Sequence, residues 1–287
     1  MMLQAQSTTL SALLLQEERH YLFGDEANAI KVFSEHSAEN MEKMTMWMFS
    51  FQEFANYHEE VVEIAHSILY RFLLTPAGAE SMQSATEFQK ASIAAFWIST
   101  KTYEFVQLPR EVWEAITRNT YTTPEIESME SNILSAVGWL VNPPTSYAFV
   151  REILELLPTD FVTDDQKQHI LELAYLQCNC SIGEVDCLKV PKSTIAIAAV
   201  VNAMEALAIP TSPVLAALAG YASDEPRLCA EWCFEVPEIQ ACLMSWMKDC
   251  KDFFDDETVI ETEQHGNLSS EPPHSPVTVM ITDDERN

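Results

Sequence analysis

Lys90-Ala91-Ser92-Ile93-Ala94-Ala95 and Lys192-Ser193-Thr194-Ile195-Ala196-Ile197 are two renderings of one short stretch, roughly 100 residues apart. Each opens a helix-like segment crowded with small residues: Ala94, Ala95 and Ser99 in the first copy, Ala196, Ala198 and Ala199 in the second. Small side chains let neighbouring helices approach closely, so each segment suits the central helix of a helical bundle. Recurrence at this distance, in similar flanking contexts, predicts a helical domain of about 100 residues used twice, an ordinary domain size.

Working outward from the first copy, residues 1–36 read as a leader with one short amphipathic helix, Leu10–Tyr21. Five helices follow it. The first, near Ala38–Asn56, places Met41, Met44, Trp47, Met48, Phe51 and Phe54 at steps of three and four. The second covers Glu59–Leu74, with Val62, Ala65, Ile68, Leu69 and Phe72 inward. Ser84 starts the third, with Glu87 three residues later as in a capping box. A fourth begins at Pro109. A fifth follows Thr123-Pro124, threonine as cap and proline first in the helix, and stops at Gly138. Asn142-Pro143-Pro144 breaks the pattern and reads as the joint between halves.

The second half predicts five more helices: Ser146–Leu157, Thr163–Cys178 (Thr163 and Gln166 as a second capping box), Pro191–Leu207, Pro213–Tyr221 and Val236–Phe254. From Asp255 the chain is rich in Glu, Asp, Ser, Thr and Pro, a composition that predicts a disordered tail. The domain reading is thus 1–36 leader, 37–142 and 143–254 helical domains, and 255–287 acidic tail.

At 287 residues and 47% hydrophobic, the chain can bury one large core or two ordinary ones. Six glycines and the lack of long alternating Val/Ile/Thr runs argue against a β-rich fold. The longest apolar run, near Ile195–Val201, is far short of the ~20 residues of a membrane span. Met1–Leu15 has neither a basic start nor a small-residue cleavage site, so the expectation is a soluble intracellular chain without a signal peptide. Seven cysteines, mostly on helical faces, read as reduced thiols. A formal charge of −28 argues against nucleic acid and anionic membranes as partners, since that binding rests on lysine and arginine.

The phosphate-binding glycine loops, the nucleophile elbow and His-Glu-x-x-His are all missing. His58-Glu59-Glu60 begins like the last of these, but position 62 is valine. Cys178, Cys180 and Cys187 with His169 are conceivable zinc ligands; they read instead as a buried helical face and the flanks of a loop. Cys229/Cys233 and Cys242/Cys250 read as small apolar core residues. No cofactor and no metal is expected. Trp47, Trp97 and Trp139 fall within helical apolar stripes, where core packing is the expectation. Lys101 ends the Ala-rich third helix, and Glu130 lies in the fifth among Ile126, Met129, Ile133 and Leu134. The residues alone leave open whether these two are solvated charges or a functional pair.

At this point the chain resembles the cyclins. Trp47-Met48, Ile68-Leu69-Tyr70-Arg71-Phe72-Leu73, Phe88-Gln89, Ile98-Ser99-Thr100-Lys101 and Leu108-Pro109-Arg110-Glu111-Val112 fall in cyclin-box order. So do Asn119-Thr120-Tyr121-Thr122, Met129-Glu130 and Gly138-Trp139 before Asn142-Pro143-Pro144-Thr145. Val190-Pro191-Lys192-Ser193-Thr194-Ile195-Ala196 suits a cyclin C-terminal box, and Leu14-Leu15-Gln16-Glu17-Glu18 leans towards D-type cyclins. The resemblance covers roughly Glu39–Cys250. It implies an all-α protein of two tandem five-helix cyclin folds, with an N-terminal helix and a disordered acidic tail.

The resemblance also implies a function: a non-catalytic subunit that binds and activates a cyclin-dependent serine/threonine kinase in cell-cycle control, in nucleus and cytoplasm. Lys101 and Glu130 occupy the positions with which cyclins hold the kinase's movable helix and the loop before it. The alternative is a cyclin-fold component of the transcription machinery acting as a protein-interaction module. Kinase substrates or inhibitors are further partners, through a groove on the first helix. Met44, Trp47 and Gln89 stand there as the resemblance to cyclins implies, whereas Asn40 and Lys43 replace apolar groups, a degenerate form of the groove. Met41 and Tyr70 stand where cyclins usually pair an arginine with an aspartate; losing both charges together avoids stranding one. The tail resembles the PEST-type tails of short-lived cyclins, and Ser275-Pro276 is its one Ser/Thr-Pro pair, which makes Ser275 a candidate regulatory phosphosite.

Overall fold

Among the described residues the fold is carried by the helices α1 (Met2–His20), α2 (Glu35–Ala55), α3 (Glu60–Leu73), α4 (Pro76–Ser81), α5 (Ala85–Tyr103), α6 (Arg110–Ile116), α7 (Thr123–Ala136), α8 (Ser146–Glu155), α9 (Asp164–Ser181) and α10 (Lys192–Ala206). Residues 212–216 and 236–245 are also helical, and there is no strand among the described residues. The structure is a computed structural model and describes residues 2–21, 35–157, 161–184, 187–188, 190–216, 218 and 236–245. The acidic tail, Ser275 and Cys229, Cys233 and Cys250 lie outside the described residues.

The chain forms two compact units. One holds α2 to α7 and the segment 182–188; the other holds α1 with residues 144–181 and the helices from α10 onward. The division falls between Pro143 and Pro144.

In the first unit α5 is the central helix, packed between α3 and α7. Every residue from Ala91 to Thr100 is buried, so α5 has no solvent stripe along that stretch and its small residues meet neighbours on all sides. The buried hydroxyls of Ser92, Ser99 and Thr100 are satisfied by carbonyls of their own helix, those of Phe88, Phe96 and Trp97. An aromatic cluster closes the core. Phe51 lies 5.7 Å from the rings of Trp47 and Phe96 and 5.5 Å from Trp113, and Trp97 lies 4.7 Å from Trp113. Burying each such side chain contributes roughly 1.5–3 kcal/mol.

The second unit repeats the plan with α10 at its centre, packed on α9 and α8 and buried from Ser193 to Met204. Lys192 is the first residue of α10, whereas Lys90 lies one turn inside α5. Here the core also holds a closed amide network. Asn202 Nδ2 donates to Gln177 Oε1 (2.8 Å) and to the Gln240 carbonyl (3.2 Å), and Gln240 Nε2 donates to Asn202 Oδ1 (3.0 Å). Gln177 Nε2 in turn reaches the carbonyls of Leu173 and Ala199, both at 3.2 Å. Asn202→Ala strands the Gln177 oxygen and the Gln240 amide, at about 1–3 kcal/mol for a buried polar group left unpaired. Urea unfolding should show a loss of about 2 kcal/mol; a loss below about 0.5 kcal/mol would contradict the network.

The elements differ from their sequence reading at three places. α1 starts at Met2, well before Leu10. The short α4 was not expected: Thr75 caps it, accepting from the Gly78 amide (3.2 Å) and donating to the Phe72 carbonyl (2.7 Å). The cap of α7 is Thr122 rather than Thr123. Thr122 and Glu125 form the capping box, while the amide and hydroxyl of Thr123 both donate to Glu114 Oε1 at 2.7 Å. Two adjacent threonines can each cap, and the nearby carboxylate takes one of them. The Thr163–Gln166 capping box forms as read, whereas Ser84 caps α5 by accepting from the Glu87 amide (3.4 Å) while the Glu87 carboxylate pairs with Lys90 (2.7 Å) and leaves the box half made.

Candidate functional site

The last turn of α5 and the middle of α7 bring Lys101 and Glu130 together. Lys101 Nζ sits 2.8 Å from both carboxylate oxygens of Glu130. The lysine side chain is 43% exposed and the carboxylate 15%. The ammonium also lies 5.2 Å from the centroid of Trp97, one turn back on α5, a cation–π distance. Two of the three ammonium protons point at Glu130, which leaves a donor and carboxylate lone pairs for a docked backbone.

Both helices are held firmly at this site. The hydroxyl of Tyr121 donates to the Thr86 carbonyl (2.8 Å) and to Gln89 Oε1 (2.9 Å), tying the start of α7 to the start of α5. Burial, followed by the charges of Glu87 and Glu125, raises the Tyr121 hydroxyl pKa, so it stays a donor. Bonds from the Thr122 amide and hydroxyl hold the Glu125 carboxyl below its usual range. At the far end the Arg71 guanidinium grips the Leu140 carbonyl (2.5 Å) and the Val137 carbonyl (3.1 Å). The Tyr103 hydroxyl bonds Asn142, fastening the end of α5 to the segment after α7.

The segments after α5 and α7 carry apolar side chains into solvent. Phe105 and Val106 follow α5 and are exposed, and Leu140 follows α7. Trp139 is 70% exposed, a correction to its reading as a core residue of a helical stripe. The helix ends before it: Gly138 has φ +64° and Trp139 φ +62°, and the Trp139 amide closes the helix by donating to Leu134 O at 2.9 Å. The left-handed turn swings the indole out of the stripe. A bulky residue in that region is strained. Arg71 and Asn142 figured in the sequence only within longer motifs, and Tyr103, Phe105 and Val106 were not singled out. The signal for the last two was an apolar pair placed in a loop.

The groove residues take different places. Met44, Trp47 and Gln89 lie in the interior, Trp47 inside the aromatic cluster. Asn40 and Lys43 remain half-buried at the surface, and Lys43 Nζ pairs with Glu39 at 2.5 Å. Met41 and Tyr70 are both buried. The expectation of weak Arg-x-Leu binding rests on like-charge repulsion between Lys43 and the peptide's arginine. Titration with an Arg-x-Leu peptide should give weak binding, improved several-fold by Lys43→Ile; equally tight binding by both proteins would refute this.

Cys178, Cys180 and Cys187 are buried, and His169 stands exposed on α9 with its ring 2.8 Å from the Asp165 carbonyl. Among the described residues no three His, Cys, Asp or Glu groups are placed to hold a metal ion. No described helix is long and apolar enough to cross a membrane.

Two family models match the chain: "Cyclin, N-terminal domain" over residues 11–142 and "Cyclin, C-terminal domain" over residues 144–245. Cyclin-A3-4 of Arabidopsis thaliana is 26% identical over 159 residues, 54% of this chain and 40% of that protein. The G1/S-specific cyclin-E of Caenorhabditis elegans is 29% identical over 115 residues, 39% of this chain and 21% of that one. The matches therefore span less than half the length of these curated relatives. Among solved structures, the viral cyclin from herpesvirus saimiri superposes with a TM-score of 0.66 at 16% identity, covering 86% of this chain and 99% of its own. A chain of the CAK complex of Chaetomium thermophilum bound to ATP-gamma-S superposes with a TM-score of 0.55 at 13% identity, covering 94% and 82%. Both share the fold.

Proposed function

The chain belongs to the cyclin family, and we propose that it is a regulatory subunit that binds and activates a cyclin-dependent serine/threonine protein kinase. The observation that carries this reading is the Lys101–Glu130 pair, held at 2.8 Å between α5 and α7. Exposed Phe105, Val106, Trp139 and Leu140 follow those same two helices. Such a surface offers a donor and an acceptor for a docked backbone, with apolar side chains beside them to exclude water. Charge-assisted hydrogen bonds of this kind contribute roughly 1.5–3 kcal/mol each.

Activation on this reading is a population shift. The surface binds the active position of the kinase's movable helix better than the inactive one, so the helix's glutamate stays paired with the ATP-site lysine. The kinase supplies the nucleotide chemistry; this chain supplies geometry. Arg71 and the Tyr103–Asn142 bond hold the segment that carries Trp139 and Leu140 in place.

The test is co-purification of the full chain from its own cells, with the kinase identified by mass spectrometry and confirmed by reconstitution from pure components. A stoichiometric complex with a cyclin-dependent kinase is the predicted result. Failure of the pure chain to bind any such kinase would refute the reading.

A further inference from the structure

α10 begins without a cap of its own: Pro191 stands at the N-cap and makes no side-chain hydrogen bond. The first amides of a helix have no intrahelical acceptor and must find one elsewhere. One comes from α1. Glu17 Oε1 accepts from the Ser193 amide at 3.1 Å, and Glu17 Oε2 from the Ser193 hydroxyl at 2.5 Å. Glu17 is 3% exposed, on the same face of α1 as buried Leu10, Leu14 and Tyr21. These four positions recur at helical spacing, so a carboxyl replaces an apolar residue in the stripe that packs α1 on α8.

Two effects compete at this contact. The helix start and its donors favour a negative charge. Removal from water disfavours it. We propose that α1 is a releasable clasp on the second unit, seated by the Glu17–Ser193 contact at the uncapped start of α10 and loosened when charge develops at that buried contact. α1 is then more than a leader: its seating completes the central helix of a fold whose other parts begin at residue 144.

Burial wins the competition, raising the Glu17 pKa from 4.5 to about 7 against the opposing pull of Ser193's bonds and the Lys192 charge. The charged groups on the surrounding elements are Lys192 on α10, Arg151, Glu152 and Glu155 on α8, and exposed Glu18, Arg19 and His20 on α1. Of these, Lys192 is the one whose charge reaches Glu17. Arg151 is engaged with the Tyr175 hydroxyl at 3.1 Å. The sign follows from the raised value. The seated carboxyl binds its proton more tightly than the released one, so the contribution to seating is full below pH 4.5 and lost as pH rises through about 7. Between pH 6 and 8 the seating equilibrium should fall about tenfold.

Trypsin cleavage after Arg19 in the full-length protein reports the open population of α1, normalised at each pH to a peptide of the same sequence. Wild type should open about tenfold more at pH 8 than at pH 6, Glu17→Gln should show no such change, and Ser193→Ala should raise opening at both. A carbon-13 titration of the Glu17 carboxyl in the wild type stands independently of whether the variants fold, and a value near 7 is expected. A midpoint near 4.5, or the same pH dependence in wild type and Glu17→Gln, would overturn the proposal.

Discussion

Replacing Lys101 and Glu130 together by alanine is expected to abolish kinase activation and leave the helical fold intact. Two charge-assisted hydrogen bonds to a docked segment, at roughly 1.5–3 kcal/mol each, correspond to about 100-fold or more in affinity. The double change is the informative one because of the asymmetry of burial. Glu130 is 15% exposed and Lys101 43%. Lys101→Ala alone leaves a mostly buried carboxylate without its cation, whereas Glu130→Ala alone leaves a lysine that can turn to water. Lys101→Ala should therefore be the less stable single variant, and the double variant should recover part of that loss. Activity measured beside circular dichroism checks both halves. Unchanged activation by a natively folded double variant would remove the pair from the interface.

Gly78→Ala is expected to cost about 3 kcal/mol of folding stability, the upper end for overpacking. A methyl group there would lie 2.0 Å from the Phe72 carbonyl oxygen and 2.6 Å from Leu73 Cα. These are backbone atoms at the end of α3, and no rotamer change relieves the clash. Moving α4 away is also costly. The Phe72 oxygen already accepts from the Thr75 amide at 2.8 Å and the Thr75 hydroxyl at 2.7 Å. The same turn follows Arg71, so strain here should also loosen the grip on Val137 and Leu140. Urea unfolding checks the size of the loss; less than about 1 kcal/mol would mean that α3 and α4 separate readily.

The helical fold was readable because its signals are local. Ser84 with Glu87 and Thr163 with Gln166 announce helix starts through hydrogen bonds spanning three residues, and both form. The small-residue stretches after Lys90 and Lys192 mark the two central helices, since few other sequences can be buried all round. Signals that depend on distant neighbours were lost. Thr122 and Thr123 are equivalent in sequence, and it is Glu114, nine residues from Thr123, that chooses between them. Trp139 fits an apolar stripe until the left-handed turn at Gly138 carries it out of register.

The candidate site divides in the same way. Nothing in the local pattern joins Lys101 to Glu130, 29 residues away on another helix, and the resemblance to cyclins was what singled out the pair. Glu17 was legible in principle: Leu10, Leu14, Glu17 and Tyr21 share a helix face, and an acid in an apolar stripe calls for a donor. Its partner Ser193 lies 176 residues away, beyond any spacing rule.

The most direct measurement is phosphate transfer from ATP to a substrate peptide by a purified, unactivated cyclin-dependent kinase, titrated with the full-length chain. The account predicts no transfer by the chain alone and a saturable rise in kcat as it is added, lost with the Lys101→Ala and Glu130→Ala double variant. A complex that forms stoichiometrically with kcat unchanged would contradict it.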